Sequence, residues 1–569
     1  AKQEAVCSQC GMACSVDLNI QNGKIRRVTA PVSDHGNIGN LCARGRFGSR
    51  AYEKSARATQ PQINTDGQRK DVSWPDALSY CAEKLAYVSK KYGPESIAVL
   101  SSDCLTTEEA LSYRAFLRSE LGIEKIGSQT AAGYRQVLSG LLETHGASCK
   151  IGSLADLKAS DIVIVAGGGA AEFHPVLKTL LNSFIRKEER ELIVISPWPD
   201  FCWEKATLPI YVNPEYYDKF LLEFCQSLEG KSADGSCDIS QFGVPAATFA
   251  KLVSLIHSGR EITLLVVPQL FGGSAALVRL TSILHHFVKT VIPLGASVNS
   301  RGAVTRAEFF TARKAEASND SGNENVLQKI KNGNIKALYL LGDDPLEYSA
   351  NPQEIEILFS KLELIIHQSP YLTRSAKFAH AVLPSAVLPE KTGSIIDMWG
   401  EEHIIKAALL PPPGVKTDAD ILFQLQNLWK NNSAVVKNVP ANEIISSALL
   451  PPARLQYDRK QFPFMMTAVP SIYGDGIISR QSPEMQKLKG SLKIVMNADD
   501  CEKAGIADDA SVHICTPYGE AKGIAKLSVQ VRPGNILVEN IPGNAEGLRL
   551  ISEQVSAVPA NIRLAGGES

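Results

Sequence analysis

Charge of neither sign dominates this chain: 59 Lys and Arg stand against 60 Asp and Glu, a formal net charge of −1. No basic excess argues for a nucleic-acid partner, and no acidic tail argues for a solvating one. No apolar run reaches the length of a bilayer span, so no direct membrane insertion is expected. The run Ile162–Ala166 is only strand-sized. No secretory signal is visible, although a leader cleaved before Ala1 would leave no trace. Internal repeats and low-complexity tracts are absent as well. Twelve cysteines are present without the spacing of a disulfide framework, which suits a reducing, cytoplasmic setting. Eight of them (Cys81, Cys104, Cys149, Cys202, Cys225, Cys237, Cys501 and Cys515) are scattered and read as small buried hydrophobes.

What is present is ordinary globular chemistry, with 44% apolar and 21% charged residues. A chain of 569 residues exceeds one hydrophobic core, so several domains are expected. Residues 1–50 read as a compact unit, with alternating runs 16–20 and 24–29 flanking Asn22-Gly23, a strong hairpin signal. From about 73 to 420, short apolar strands alternate with amphipathic helices, the pattern of parallel sheets covered on both faces. Thr106 is placed as a helix N-cap and Glu109 completes a capping box. Pro411-Pro412-Pro413-Gly414 breaks this texture, and short strands divided by turns return after about 488. The expected fold is therefore α/β. A 1–50 unit precedes two doubly wound domains, one from 51–120 plus 330–430 and one from 121–329. A 431–487 linker then leads to a 488–569 β-barrel.

Cys7, Cys10, Cys14 and Cys42 follow the spacing Cys-x2-Cys-x3-Cys-x27-Cys. A [4Fe-4S] cluster needs four convergent thiolates, three of which a short run can supply. Structural zinc also takes four thiolates, but usually from two Cys-x2-Cys halves, and the second half is missing here. The cluster is the preferred reading; zinc and a disulfide pair remain alternatives.

Cys7-Ser-Gln-Cys10-Gly-Met-Ala-Cys14 and Asn40-Leu-Cys42-Ala-Arg44-Gly45-Arg46 resemble the N-terminal domain of the molybdopterin oxidoreductase family. That family includes formate dehydrogenases and the large iron–sulfur subunit of respiratory complex I. Gly167-Gly168-Gly169-Ala-Ala-Glu172-Phe-His174-Pro175 is similar to its Glu-x-His-Pro loop. Asn299-Ser-Arg-Gly302-Ala303, Gly342-Asp343-Asp344-Pro345, Glu390-Lys391-Thr-Gly393 and Asn497-Ala-Asp499-Asp500 resemble further family segments in the same order. The resemblance implies a [4Fe-4S] domain, parallel-sheet domains and a closing pterin-dinucleotide barrel. If a pterin is bound, Gly168, Glu172, His174, Asp343, Pro345, Asn497, Asp499 and Arg44 are its implied contacts. Without a pterin, each of these residues serves as a turn, a cap or a buried structural polar group.

The same resemblance breaks at the chemistry. Where formate dehydrogenases carry a Cys or selenocysteine on the metal, residues 122–134 hold no Cys, and Ser128 alone has ligand chemistry. Cys104 and Cys149 only flank the region. The family's Asp-Pro-Arg is Ser196-Pro197-Trp198 here, and Arg44 stands where a Lys is usual. These departures lead to the expectation that molybdopterin guanine dinucleotide is absent. The chain is then an electron-transfer or scaffold subunit, closest in character to the complex I subunit, docking to flavin- or iron–sulfur-containing subunits. Two alternatives stay open: a catalytic molybdopterin oxidoreductase with an unusual ligand, and a non-redox protein with structural zinc or a vestigial cluster.

Overall fold

The computed structural model describes the chain apart from residues 32–36, 38, 54–56, 66, 124, 129–131, 146–150, 188, 231–238, 269–274, 305–322, 350, 433–456, 472–476, 540–546, 548–549, 552–556 and 566–569. It divides into two compact units. The first contains residues 1–135, 295–447 and 477–484; the second contains 136–294, 448–476 and 485–569.

The first unit begins with an antiparallel sheet of β1 (Lys2–Val6), β2 (Ser15–Gln21) and β3 (Lys24–Thr29). Asn22 and Gly23 both take positive φ, 53° and 71°, as a tight turn matched to strand twist requires. Val16, Leu18, Ile25 and Val28 point to one face and pack with Ala51 and Tyr52. The short helix α1 (Ala43–Phe47) follows.

A seven-stranded sheet forms the body of this unit. Its order is Gln68–Asp71, Gln62–Thr65, Ala381–Pro384, Leu364–Ser369, Ala337–Leu341, Ile97–Ser101, Lys125–Gly127. The last five strands are parallel and the first two antiparallel. The central strands are buried along their whole length, which is why they read as unbroken apolar runs. The helix Trp74–Tyr92 covers one face through Ala77, Leu78, Cys81, Ala82, Leu85 and Val88. Thr106 caps the helix Thr107–Ala115 with the reciprocal Glu109 bond, and the next turn, Phe116–Glu120, widens to π-helical geometry.

The second unit pairs a parallel sheet with a barrel. The sheet order is Leu208–Tyr211, Glu191–Ser196, Ile162–Ala166, Ile262–Val266, Thr290–Pro293. Six strands close the barrel: Phe464–Val469, Asn535–Glu539, Lys493–Asn497, Gly519–Ser528, Ser511–Thr516 and Ala557–Leu564. The strand Phe464–Val469 lies inside the 431–487 stretch read as linker. Pro463 and the proline-rich lead-in hide it in the sequence, and only pairing with Asn535–Glu539 and Ala557–Leu564 makes it a strand. Among the described residues, no helix is long and apolar enough to cross a membrane.

Candidate metal centre and cofactor cradle

Cys7 leaves the end of β1, and the chain turns sharply back on itself. The Cys7 N–H donates to the Cys14 carbonyl at 2.9 Å, and the Ala13 N–H to that of Cys10 at 3.1 Å. Closing so tight a loop forces Ala13 to φ 46°, a region that disfavours a side chain. Cys42 arrives as the N-cap residue of α1. Cys10 and Cys14 are buried; Cys7 and Cys42 are half-exposed.

The four thiols feel one another. Burial, then Cys42, push the Cys10 thiol up to about 11, partly offset by Arg44. Burial, then Cys42 and Cys10, raise Cys7 further still, again against Arg44. Cys14 is raised by burial and by the other three. Buried thiols this crowded stay ionised only beside cationic partners, which a bound metal centre would supply. One zinc ion would draw the sulfurs to about 3.8 Å, given Zn–S bonds of about 2.3 Å. Among the described residues, the only ligand group within 4.8 Å of itself is Asp397, Glu401 and His403.

Neighbouring loops clamp this turn. A Cβ on Gly11 would lie 2.2 Å from the Gly295 carbonyl oxygen, so Gly11 is needed for close backbone approach. The Gly11 carbonyl accepts the Met398 N–H at 2.9 Å, and Met398 in turn is held by Arg301 at 3.1 Å. Gly45 lies beside the Leu41 side chain, which a Cβ there would meet at 3.0 Å. Ser8 and Tyr52 share a hydrogen bond of 2.6 Å, and Ser479 donates to Gln9 at 2.8 Å. Arg44 is buried beside the thiols.

Asp397, Glu401 and His403 are a turn device. Asp397 accepts from the Trp399 and Glu401 N–H groups at 2.9 Å each and from His403 at 3.0 Å, so its oxygens already hold the 393–405 hairpin together.

At the carboxyl ends of the seven-stranded sheet, strand order reverses between Ile97–Ser101 and Ala337–Leu341, the place where such sheets form crevices. Asp343 and Pro345 sit here, both buried, with the Asp344 N–H bonded to the Asp343 carboxylate at 3.0 Å. Asp344 caps the following turn through the Leu346 N–H at 2.9 Å. Ser128 is buried just after Lys125–Gly127. Glu390 and Lys391 are both buried, each paired elsewhere: Glu390 with Arg57 at 2.9 and 3.1 Å, and Lys391 with Glu109 at 3.0 Å and Asp418 at 2.5 Å.

In the second unit the glycine loop follows the strand Ile162–Ala166. Added Cβ atoms would meet the Val267 carbonyl at 2.6 Å from Gly167, the Trp198 ring at 2.4 Å from Gly168, and the Pro470 ring at 2.6 Å from Gly169. All three approaches are taken up by the protein itself. Glu172 is buried and accepts from the Phe201 N–H at 3.1 Å. Asp200 accepts from Gly169 at 3.2 Å, Cys202 at 2.9 Å and Trp203 at 3.1 Å. Burial raises both acids, and the charge of Asp200 raises Glu172 further. His174 is buried at the start of Pro175–Phe184. Asn497 caps Ala498–Lys503 through the Asp499 N–H at 2.9 Å and donates to Val531 at 2.7 Å; the Asp499 side chain is exposed. Sequence reasoning did not single out Asp200, whose role depends on contacts with residues far from it in the chain.

Three sequence-family models match in chain order. The Molybdopterin oxidoreductase Fe4S4 domain matches residues 1–53, Molybdopterin oxidoreductase matches 57–428, and the Molydopterin dinucleotide binding domain matches 466–560. The NADPH-Fe(3+) oxidoreductase subunit alpha of Geobacter sulfurreducens is 24% identical, over 99% of this chain and 74% of its own. A putative formate dehydrogenase of Bacillus subtilis is 25% identical over 75% of this chain and 49% of its own, so the chain spans about half of that relative. Acetylene hydratase from Pelobacter acetylenicus shares the fold, with a TM-score of 0.76 at 14% identity, covering 99% of this chain and 100% of that one. From its Fe4S4 domain through its parallel sheets to its closed barrel, the chain belongs to the molybdopterin oxidoreductase family.

Proposed function

We infer that this chain is an iron–sulfur electron-transfer subunit of a multisubunit oxidoreductase, with Cys7, Cys10, Cys14 and Cys42 as ligands of a [4Fe-4S] cluster. The buried turn that gathers Cys7, Cys10 and Cys14, whose thiols burial and neighbouring cysteines push up, with Cys42 at the start of α1 among those neighbours, carries the reading. When bound, such a cluster supplies one-electron transfer. The chain's own part is positional. The Cys7–Cys14 turn sets three sulfurs, and α1 delivers the fourth. Gly11 lets the 295 loop pack against the turn, and buried Arg44 offsets negative charge. The name of the Geobacter relative, a subunit alpha, supports partner subunits.

The Gly167–Gly169 loop is closely packed on its Cβ side. Val267, Trp198 and Pro470 fill the space facing it, and two buried acids lie beside it. A scaffold without molybdenum chemistry accords with that packing. The purified chain should therefore contain about four irons and no molybdenum or tungsten, with no extractable pterin. Stoichiometric molybdenum would overturn this reading.

A second reading, a catalytic molybdopterin enzyme, is favoured by one observation: the Trp198 indole N–H is buried without a partner among the described residues, a donor that a ligand oxygen would satisfy. It predicts extractable pterin, and loss of activity in Ser128→Ala.

A further inference from the structure

Ser8 follows Cys7 directly in the turn and is buried. Its hydroxyl shares a 2.6 Å hydrogen bond with the hydroxyl of Tyr52, which is buried as well. Two hydroxyls carry two protons, and one hydrogen bond uses only one of them. Among the described residues, neither hydroxyl has a second acceptor. The remaining proton is a buried donor that needs one. Cys7 is the sulfur on that side. It packs against the apolar cluster that contains Val16, Leu18, Val28 and Tyr52. Cys7, Gln9 and Tyr52 line one small cavity together with those three apolar side chains. The charge that acts most strongly on the Tyr52 hydroxyl is that of Cys7. Gln9 Nε2 approaches the same hydroxyl but completes no hydrogen bond, while Ser479 holds the Gln9 carbonyl oxygen at 2.8 Å.

Tyr52 is also fixed at its other end. Arg57 donates to the Tyr52 carbonyl at 3.0 Å and to the two Glu390 oxygens at 3.1 and 2.9 Å. The charged side chains are 4% and 2% exposed, so this ion pair is shielded from water. Glu390 accepts the Val387 N–H at 3.1 Å, and Val387 belongs to the same apolar cluster as Tyr52. One residue is thus held twice, by Ser8 at its hydroxyl and by Arg57 at its carbonyl. A hydroxyl held in apolar surroundings makes a stronger hydrogen bond than one that water competes for.

We propose that the Tyr52 hydroxyl, seated by Ser8, is a positioned hydrogen-bond donor to the Cys7 corner of the cluster and raises its reduction potential. This rests on the cluster assignment above. Reduction adds one electron and increases the negative charge on the sulfurs. A donor aimed at one of them stabilises the reduced state more than the oxidised state, so the potential rises. Ser8 donates to the phenol oxygen and polarises its O–H, which leaves the phenol proton for the sulfur. That proton stays on Tyr52 throughout.

The test is a redox titration of the iron-loaded protein, followed by visible absorption and by EPR of the reduced state. Tyr52→Phe keeps the ring and removes the donor. Expected are wild-type iron content and an equilibrium constant for reduction lowered about tenfold, which is 59 mV for one electron. Ser8→Ala keeps the donor but loosens it, and should lower the potential by less. Tyr371→Phe removes a buried hydroxyl from the same apolar cluster without touching the Ser8 pair, and should leave the potential unchanged. An iron-free wild type overturns the cluster assignment, and the proposal with it. An iron-loaded Tyr52→Phe with wild-type potential overturns the donor alone. An equal shift in Tyr371→Phe does the same, because burial rather than donation would then set the potential. A Ser8→Ala shift as large as that of Tyr52→Phe would put the donating proton on Ser8, and the proposal falls. Should Tyr52→Phe fail to take up iron, Ser8→Ala decides: a lowered potential sustains the proposal, and an unchanged one overturns it.

Discussion

Lys391→Met probes the most heavily charged spot in the core of the first unit. The ammonium lies 3.0 Å from Glu109 and 2.5 Å from Asp418, with all three side chains 4% exposed. Burial opposes the charge on Lys391, but Asp418 and Glu109 outweigh it and hold the amine above its ordinary range. Each acid has a second duty. Glu109 receives the Thr106 N–H at 3.0 Å in the capping box, and Asp418 receives the Gln368 amide at 2.5 Å. Methionine keeps the length of the lysine stem but leaves two buried carboxylates facing each other. Removing one partner of a buried ionic group costs about 3–5 kcal/mol. Burial already raises Glu109 with the lysine present, so the variant should take up a proton there. Urea unfolding of the iron-loaded protein should show an unfolding free energy lowered by that amount at pH 7.5, with part of the loss recovered at pH 5.5. Lys391→Met/Asp418→Asn should be more stable than the sum of the single effects, because it removes one of the two facing charges. A single variant within about 1 kcal/mol of wild type, or strict additivity in the double, would refute the reasoning.

Gly11→Ala sets a Cβ 2.2 Å from a backbone oxygen that no side chain can yield; overpacking of this kind costs about 1–3 kcal/mol, and iron content should fall with it. Wild-type iron and unfolding midpoint in that variant would show that the 295 loop moves freely. Cys42→Ser should abolish the visible absorption and most of the iron, and full retention would mean that another residue is the fourth ligand. Glu172 has a raised folded pKa, so the native state binds more protons than the unfolded chain, and stability should decline as pH rises from 5 to 8. Glu172→Gln should flatten that decline in a thermal-melt series. An unchanged slope would place the charge elsewhere.

Local chemistry explains what was legible. The Asn22-Gly23 hairpin and the Thr106–Glu109 capping box each depend on residues a few positions apart, and each stands where the pattern puts it. The parallel strands were readable because burial on both faces demands unbroken apolar runs. The barrel was legible too, except for Phe464–Val469, which becomes a strand only through pairing with Asn535–Glu539 and Ala557–Leu564.

The sequence by itself determined the four-cysteine spacing, because three of those residues belong to one short turn. Only the tertiary structure decided what the glycines do. The directions in which Cβ atoms on Gly11 and on Gly167–Gly169 would point are filled by the chain's own atoms, from Gly295, Val267, Trp198 and Pro470. A missing Cβ is visible in a sequence; what fills the space it leaves depends on packing between distant segments. The same holds for Glu390 and Lys391, adjacent in sequence, whose partners Arg57, Glu109 and Asp418 come from other parts of the chain.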